Sequence, residues 1–255
     1  MPFSADYVRL VLSENFEDAK RLFLDPLMSI HRAHLVMLAE TGLIPNEDAR
    51  QLRDGLQAID LDAVRCAVFD PTCEDLFFYL DRRLADACGR QVAARLHTAR
   101  SRNDIDMTMY RVRLRELILT LTDATFELRG SLIDLARRHS ATIFPAHTHT
   151  QPAQPTTVAH YLLAVVEQLE RDAGRVLAAY RTTNRSPLGA CAITGTGFPI
   201  DRQRTSDLLG FDGPTGNTYG SIAAVDYLLE SAAAAAVGVT RPRRLLQGQL
   251  LSCNA

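Results

Sequence analysis

Residues 105–144, IDMTMYRVRLRELILTLTDATFELRGSLIDLARRHSATIF, decide the fold. Within them Leu114, Leu117, Leu121, Ala124, Leu128 and Leu135 recur by threes and fours, and no proline follows Asp104 until Pro145. That spacing predicts one long helix of roughly 35 residues, about 50 Å at 1.5 Å per residue. The next segment carries a second stripe, Leu162, Val166, Leu169, Ala173, Val176 and Tyr180, with Pro155 expected in the first turn of its helix. A third helix is expected from near Tyr219, after a Gly- and Pro-rich connector over residues 185–217 that is too long for a simple bundle turn. Successive long helices mean a bundle. Upstream, Leu24, Met28, His31, Leu35 and Leu38 keep helical spacing until Gly42, and a further helix opens at Pro45-Asn46-Glu47-Asp48 with Asn46 as its cap. The first hundred residues therefore read as shorter helices joined by turns, with His31 a satisfied core or interface histidine.

Composition agrees with a helical, all-α class. The chain has 255 residues, 47% of them apolar but only 7% aromatic, and no Trp, which argues against a sandwich or barrel of β-branched and aromatic strands. Its 28 basic and 30 acidic residues give a net charge of -2 without long runs, so no nucleic-acid footprint is expected. No window approaches the ~18 consecutive apolar residues of a membrane span, and Asp6 and Arg9 interrupt any signal-type segment. Five cysteines at irregular spacing, with no CxxC pair, suit a reducing, cytoplasmic setting better than a disulfide framework or a zinc site.

Polar groups concentrate where the apolar periodicity breaks. His97-Thr98-Ala99-Arg100-Ser101-Arg102-Asn103-Asp104 directly precedes the first long helix, where backbone amides and the Arg102 fork suit a carboxylate. On residue types alone the segment reads as a capping loop with solvated arginines. His147-Thr148-His149-Thr150-Gln151-Pro152-Ala153-Gln154-Pro155 precedes the second helix and offers two imidazoles, two hydroxyls and two amides. By itself it fits proton transfer as well as a loop that satisfies buried backbone. An HxH pair can bind metal, but no further ligand falls at a recognisable spacing, so no metal is expected. In the third cluster, Ser186 to Arg202, the GTG at 195–197 lacks the lysine of a phosphate loop, and its glycines suit tight turns.

Taken in order, LHTARSRND (96–104), FPAHTHTQPAQP (144–155), SPLGACAITGTGFPIDR (186–202) and, more loosely, EDLFFYLDRRL (74–84) resemble the argininosuccinate lyases of the fumarase/aspartase superfamily, from about Asp25 to Gly238. The resemblance implies a small helical N-terminal domain over 1–100, part of the central long-helix bundle over 101–255, and a C-terminal domain absent from the chain. It also implies a homotetramer whose sites draw on three subunits. The implied reaction is β-elimination of argininosuccinate to fumarate and arginine without a cofactor. Ser101, Arg102 and Asn103 would bind the succinyl carboxylates, Thr148 would donate to one of them, and His149 would move a proton or orient the group that does.

Several positions depart from the family pattern. Ala99 replaces a glycine, Phe77 a histidine and Pro152 an arginine; Gly220 and Val225 stand where an aspartate and an arginine are usual. These changes spare the fumarate side and alter its neighbours, so a paralogous lyase acting on another N-substituted aspartate is an alternative. The family's serine loop, GSSxMPxKxNP, does not occur in these residues, and Pro242 is expected to break the third helix after Gly238. The chain is therefore expected to be a truncated or split lyase with little activity alone. A non-catalytic helical partner subunit is the remaining alternative.

Overall fold

The computed structural model describes residues 3–149 and 151–253, and of 240–253 the backbone alone. A three-residue helix α1, Ala5–Tyr7, and a π-helical turn, Val8–Leu12, lead into α2, Ser13–Glu40. α2 thus begins well before Leu24. It ends as expected at Gly42, whose φ of +69° suits glycine, with the Leu43 N–H donating back to Leu38 O at 3.0 Å. α3 spans Asn46–Ala58, but its cap is Pro45 and Asn46 is already helical, making no capping bond. α4, Leu61–Cys66, is capped by Asp60, which accepts from the Asp62 and Ala63 N–H groups at 3.0 Å. α5, Leu76–Cys88, is capped by Asp75, and α6 is the short Arg90–Arg95.

The predicted long helix is α7, Arg102–Arg138. A difference follows it. Residues 143–157 form an antiparallel ribbon of β1, Ile143–Thr148, and β2, Gln151–Thr157, in which Pro145 faces Pro155. Pro155 is therefore in a strand and not in the first turn of a helix. A two-stranded ribbon consists of edges, where a residue without an N–H forfeits little. The Thr157 hydroxyl instead accepts from the His160 N–H at 3.1 Å, and α8 runs Val158–Thr183. α9, Arg202–Leu208, and α10, Thr218–Ala223, lie in the connector and just beyond it. The last helix, α11, spans Asp226–Cys253 and continues through Pro242, where a break was expected. The architecture is helical, with this single ribbon as its exception among the described residues.

Two compact units are present, Met1–Leu114 with Asn184–Ala224 and Arg115–Thr183 with Val225–Ala255. They are discontinuous, whereas the boundary read from the sequence falls at residue 100. In the first unit, α2 packs Leu24, Met28 and Leu38 against Leu52 and Leu56 of α3 and Leu80 and Leu84 of α5. Leu188, Leu209 and Phe211 of the connector complete that core, so the connector is an integral part of it. In the second unit α8 buries Leu162, Val166, Leu169 and Val176, with Leu132, Leu135 and Ala136 of α7 packed near its start. Arg129 of α7 also pairs with Glu170 of α8 at 2.6 Å. The Thr183 and Ser231 hydroxyls, 3.4 Å apart, join α8 to α11.

Candidate active site

In the first unit the RSRND segment is organised by its last residue. Asp104 has no exposed surface. One of its oxygens accepts from the Ser101 N–H at 2.8 Å, and the other accepts from the Gly189 and Cys191 N–H groups, each at 2.9 Å. Burial pushes this carboxyl upward in pKa, and the three N–H bonds oppose the shift. Residues 101–104 and 189–192 are thereby locked together. Asn103 adds to the lock, its Nδ2 donating to Ala192 O at 2.8 Å, while its own N–H donates to Ser101 Oγ at 3.3 Å. Gly189, at φ +87°, has no room for a Cβ, which would meet Arg202 Cγ at 2.7 Å.

Arg102, the first residue of α7, pairs with Asp75 at 2.7 Å and with Asp106 at 3.6 Å, and stacks 4.6 Å from the Phe77 ring centroid. It is a paired guanidinium at the entrance of a helix, not a solvated one. Behind it, the half-buried Arg100 donates to His31 Nδ1 at 2.9 Å, and His34 Nε2 meets Thr98 O at 2.9 Å. Burial lowers Arg100 to about 9 and, together with the Arg100 charge, lowers His34 to about 3 and His31 well below the usual imidazole range. His31 is thus the satisfied core histidine expected of it.

Thr148 and His149 lie in the second unit, at the tip of the ribbon. Thr148 pairs with Gln151, and His149, in a turn directly after β1, has a φ of +49°. Both side chains are exposed, as is that of His147, which stands near Phe144. Thr150, part of the same cluster in the sequence, lies outside the described residues. The structure therefore gathers Ser101, Arg102 and Asn103 with the 189–192 turn in the first unit, and Thr148 and His149 belong to an exposed hairpin of the second. Among the described residues, no group of three or more His, Cys, Asp or Glu side chains converges to hold a metal.

Asp75, Asp106 and the partners of Asp104 carry no distinguishing signal in the sequence, apart from Asp104 closing the RSRND run. Their importance depends on residues far along the chain.

Residues 20–245 match the sequence profile of a family described as lyase. The chain is 47% identical over 222 residues to argininosuccinate lyase 2 of Agrobacterium fabrum, covering 87% of this chain and 44% of that protein. It is 43% identical over 234 residues to the argininosuccinate lyase of Natronomonas pharaonis, covering 92% and 46%. Among solved structures, an EDDS lyase in complex with formate superposes with a TM-score of 0.84 at 32% identity, over 99% of this chain and 50% of that one. A fumarate lyase and delta crystallin homologue from Brucella melitensis, at 17% identity and a TM-score of 0.70 over 91% of this chain and 56% of that one, shares the fold. The chain spans about half the length of the relatives it matches.

Proposed function

The chain belongs to the lyase family whose argininosuccinate lyases it resembles, and we propose that it contributes the fumarate-side half of a carbon–nitrogen lyase site. The observation that carries this reading is the Ser101-Arg102-Asn103 run at the start of α7, locked by Asp104, in a chain 47% identical to an argininosuccinate lyase. The reaction is β-elimination from argininosuccinate. A base removes a Cβ proton, the adjacent carboxylate accumulates charge, the Cα–N bond breaks, and the nitrogen leaves protonated as arginine while fumarate remains. Arg102, Ser101 and Asn103 hold the succinyl carboxylates, and Thr148 donates a hydrogen bond to one of them. His149 transfers a proton or orients the group that does. These residues need no bound cofactor for their parts. In this reading four subunits assemble in the cytoplasm through the long helices.

A second substrate is favoured by one observation, the 0.84 TM-score to an EDDS lyase at 32% identity. The altered neighbours of the fumarate side, Phe77 and Ala99 among them, fit an N-substituted aspartate with a different amine half. One assay separates the readings: fumarate release, followed by its ultraviolet absorbance, from argininosuccinate and from EDDS. The protein assayed is this chain completed by the remaining half of the Agrobacterium relative. Release from argininosuccinate supports the first reading, and release from EDDS alone supports the paralogue. Release from neither leaves the non-catalytic partner subunit.

A further inference from the structure

Four side chains surround the Arg102 guanidinium, and two of them are aromatic. Asp75 Oδ2 lies 2.7 Å and Asp106 Oδ2 3.6 Å from the same nitrogen, Nη2. Phe77 offers its ring at 4.6 Å from Arg102 Cζ, closer than the Phe78 ring at 5.5 Å. The holders are themselves fixed. Phe77 is 6% exposed and is wedged edge-on against His31 and His97, at centroid distances of 5.9 and 5.4 Å. Asp75 uses its other oxygen, Oδ1, to cap α5 by accepting from the Phe78 N–H at 3.1 Å.

An arginine side chain has many rotamers, and freedom lost before a ligand arrives is not lost on binding. Carboxylates restrain the group by occupying its N–H donors. An aromatic face restrains it by attraction to the ring quadrupole and occupies none of the five. We propose that Phe77 is a positioning residue, fixing the Arg102 guanidinium over its ring so that the donors not taken by Asp75 and Asp106 meet an incoming carboxylate of a C4 dicarboxylate. The proposal rests on the reading of Arg102 as a carboxylate-binding residue.

The test uses the 255-residue chain with 15N-labelled arginine. The Arg102 Nε–H resonance, assigned by its loss in Arg102→Lys, is expected upfield of the random-coil position because of the Phe77 ring current. In Phe77→Leu it should move most of the way back to that position, the Phe78 ring at 5.5 Å leaving a smaller shift, and affinity for fumarate titrated into the chain completed by the remaining half of the Agrobacterium relative should fall by about five-fold or more, with Tm recorded alongside. Phe77→Tyr, which keeps the ring face, should retain both the shift and the affinity. A wild-type resonance at the random-coil position overturns the proposal even if Phe77→Leu does not fold. Fumarate binding that is unchanged in a folded Phe77→Leu overturns the proposal alone. A wild type that shows the shift but, once completed by the remaining half of the Agrobacterium relative, binds no fumarate overturns the reading of Arg102, and the proposal with it.

Discussion

The Asp104 carboxylate accepts the Gly189 N–H at 2.9 Å, a bond that spans 85 positions of sequence. It ties the first turn of α7 to the connector, and the same oxygen also takes the Cys191 N–H. Removing this fully buried carboxylate strands three backbone donors, those of Ser101, Gly189 and Cys191. Asp104→Ala is therefore expected to cost about 3 kcal/mol, more than an ordinary hydrogen bond, because buried donors lose their partner and gain no water. Urea unfolding measures this; a loss under about 1 kcal/mol would mean that the lock is not stabilising.

Ala99 and Cys191 hold left-handed backbone, at φ +57° and +53°, and the Cys191 thiol donates to Ala99 O at 3.2 Å. A Cβ in that region costs about 1–2 kcal/mol, part of which glycine returns as unfolded-chain entropy. Ala99→Gly should raise stability by about 0.5–1 kcal/mol. Cys191→Gly should gain less, since it also loses the thiol contact. Thermal unfolding of the two variants checks the order, and a lower Tm for Ala99→Gly contradicts it.

The long helices were legible because their apolar residues repeat by threes and fours over many turns, a signal that no other structure produces. Prolines were not. The fixed φ of Pro155 suits a helix start as well as an edge strand, and the choice was made by its partner Pro145, ten positions away in sequence and paired across the ribbon. In the site, Ser101, Arg102 and Asn103 were legible as a run, but their environment was not. Asp104 looks like an ordinary first-turn acid until residues 189–191 fold onto it, and Arg102 looks solvated until Asp75, Phe77 and Asp106 surround it.

Acid sensitivity follows from His31 and His34. Both are neutral in the folded state, with pKa values lowered by burial first and then by the Arg100 charge, to about 3 for His34. In the unfolded chain they titrate near ~6.5. Their contribution is therefore fully present above that pH and is lost as pH falls below it, because only the unfolded state then takes up protons. Between pH ~7.5 and ~5.5 the two together should remove about 2.5 kcal/mol of unfolding free energy. His34→Gln should show about half that slope. A flat urea midpoint across this range would contradict the buried neutral assignment.

Thr148 and His149, adjacent at the ribbon tip, have separable roles in the proposed reaction. In the completed enzyme, Thr148→Val should raise KM for the aspartate substrate, while His149→Asn should lower kcat by about 100-fold or more with KM little changed. The steady-state split between the two parameters is the measurement, and equal effects of both variants on KM alone would remove His149 from proton transfer.

Arg102→Lys tests the central claim most directly. A lysine retains the charge but cannot reproduce a two-pronged carboxylate contact. In the chain completed by the remaining half of the Agrobacterium relative, initial rates of fumarate release from argininosuccinate give kcat/KM for wild type and variant. The predicted result is a loss of about 10-fold or more, corresponding to at least ~1.4 kcal/mol of transition-state binding. Unchanged kcat/KM in a folded variant would contradict the assignment of this helix entrance as the fumarate-side half of the site.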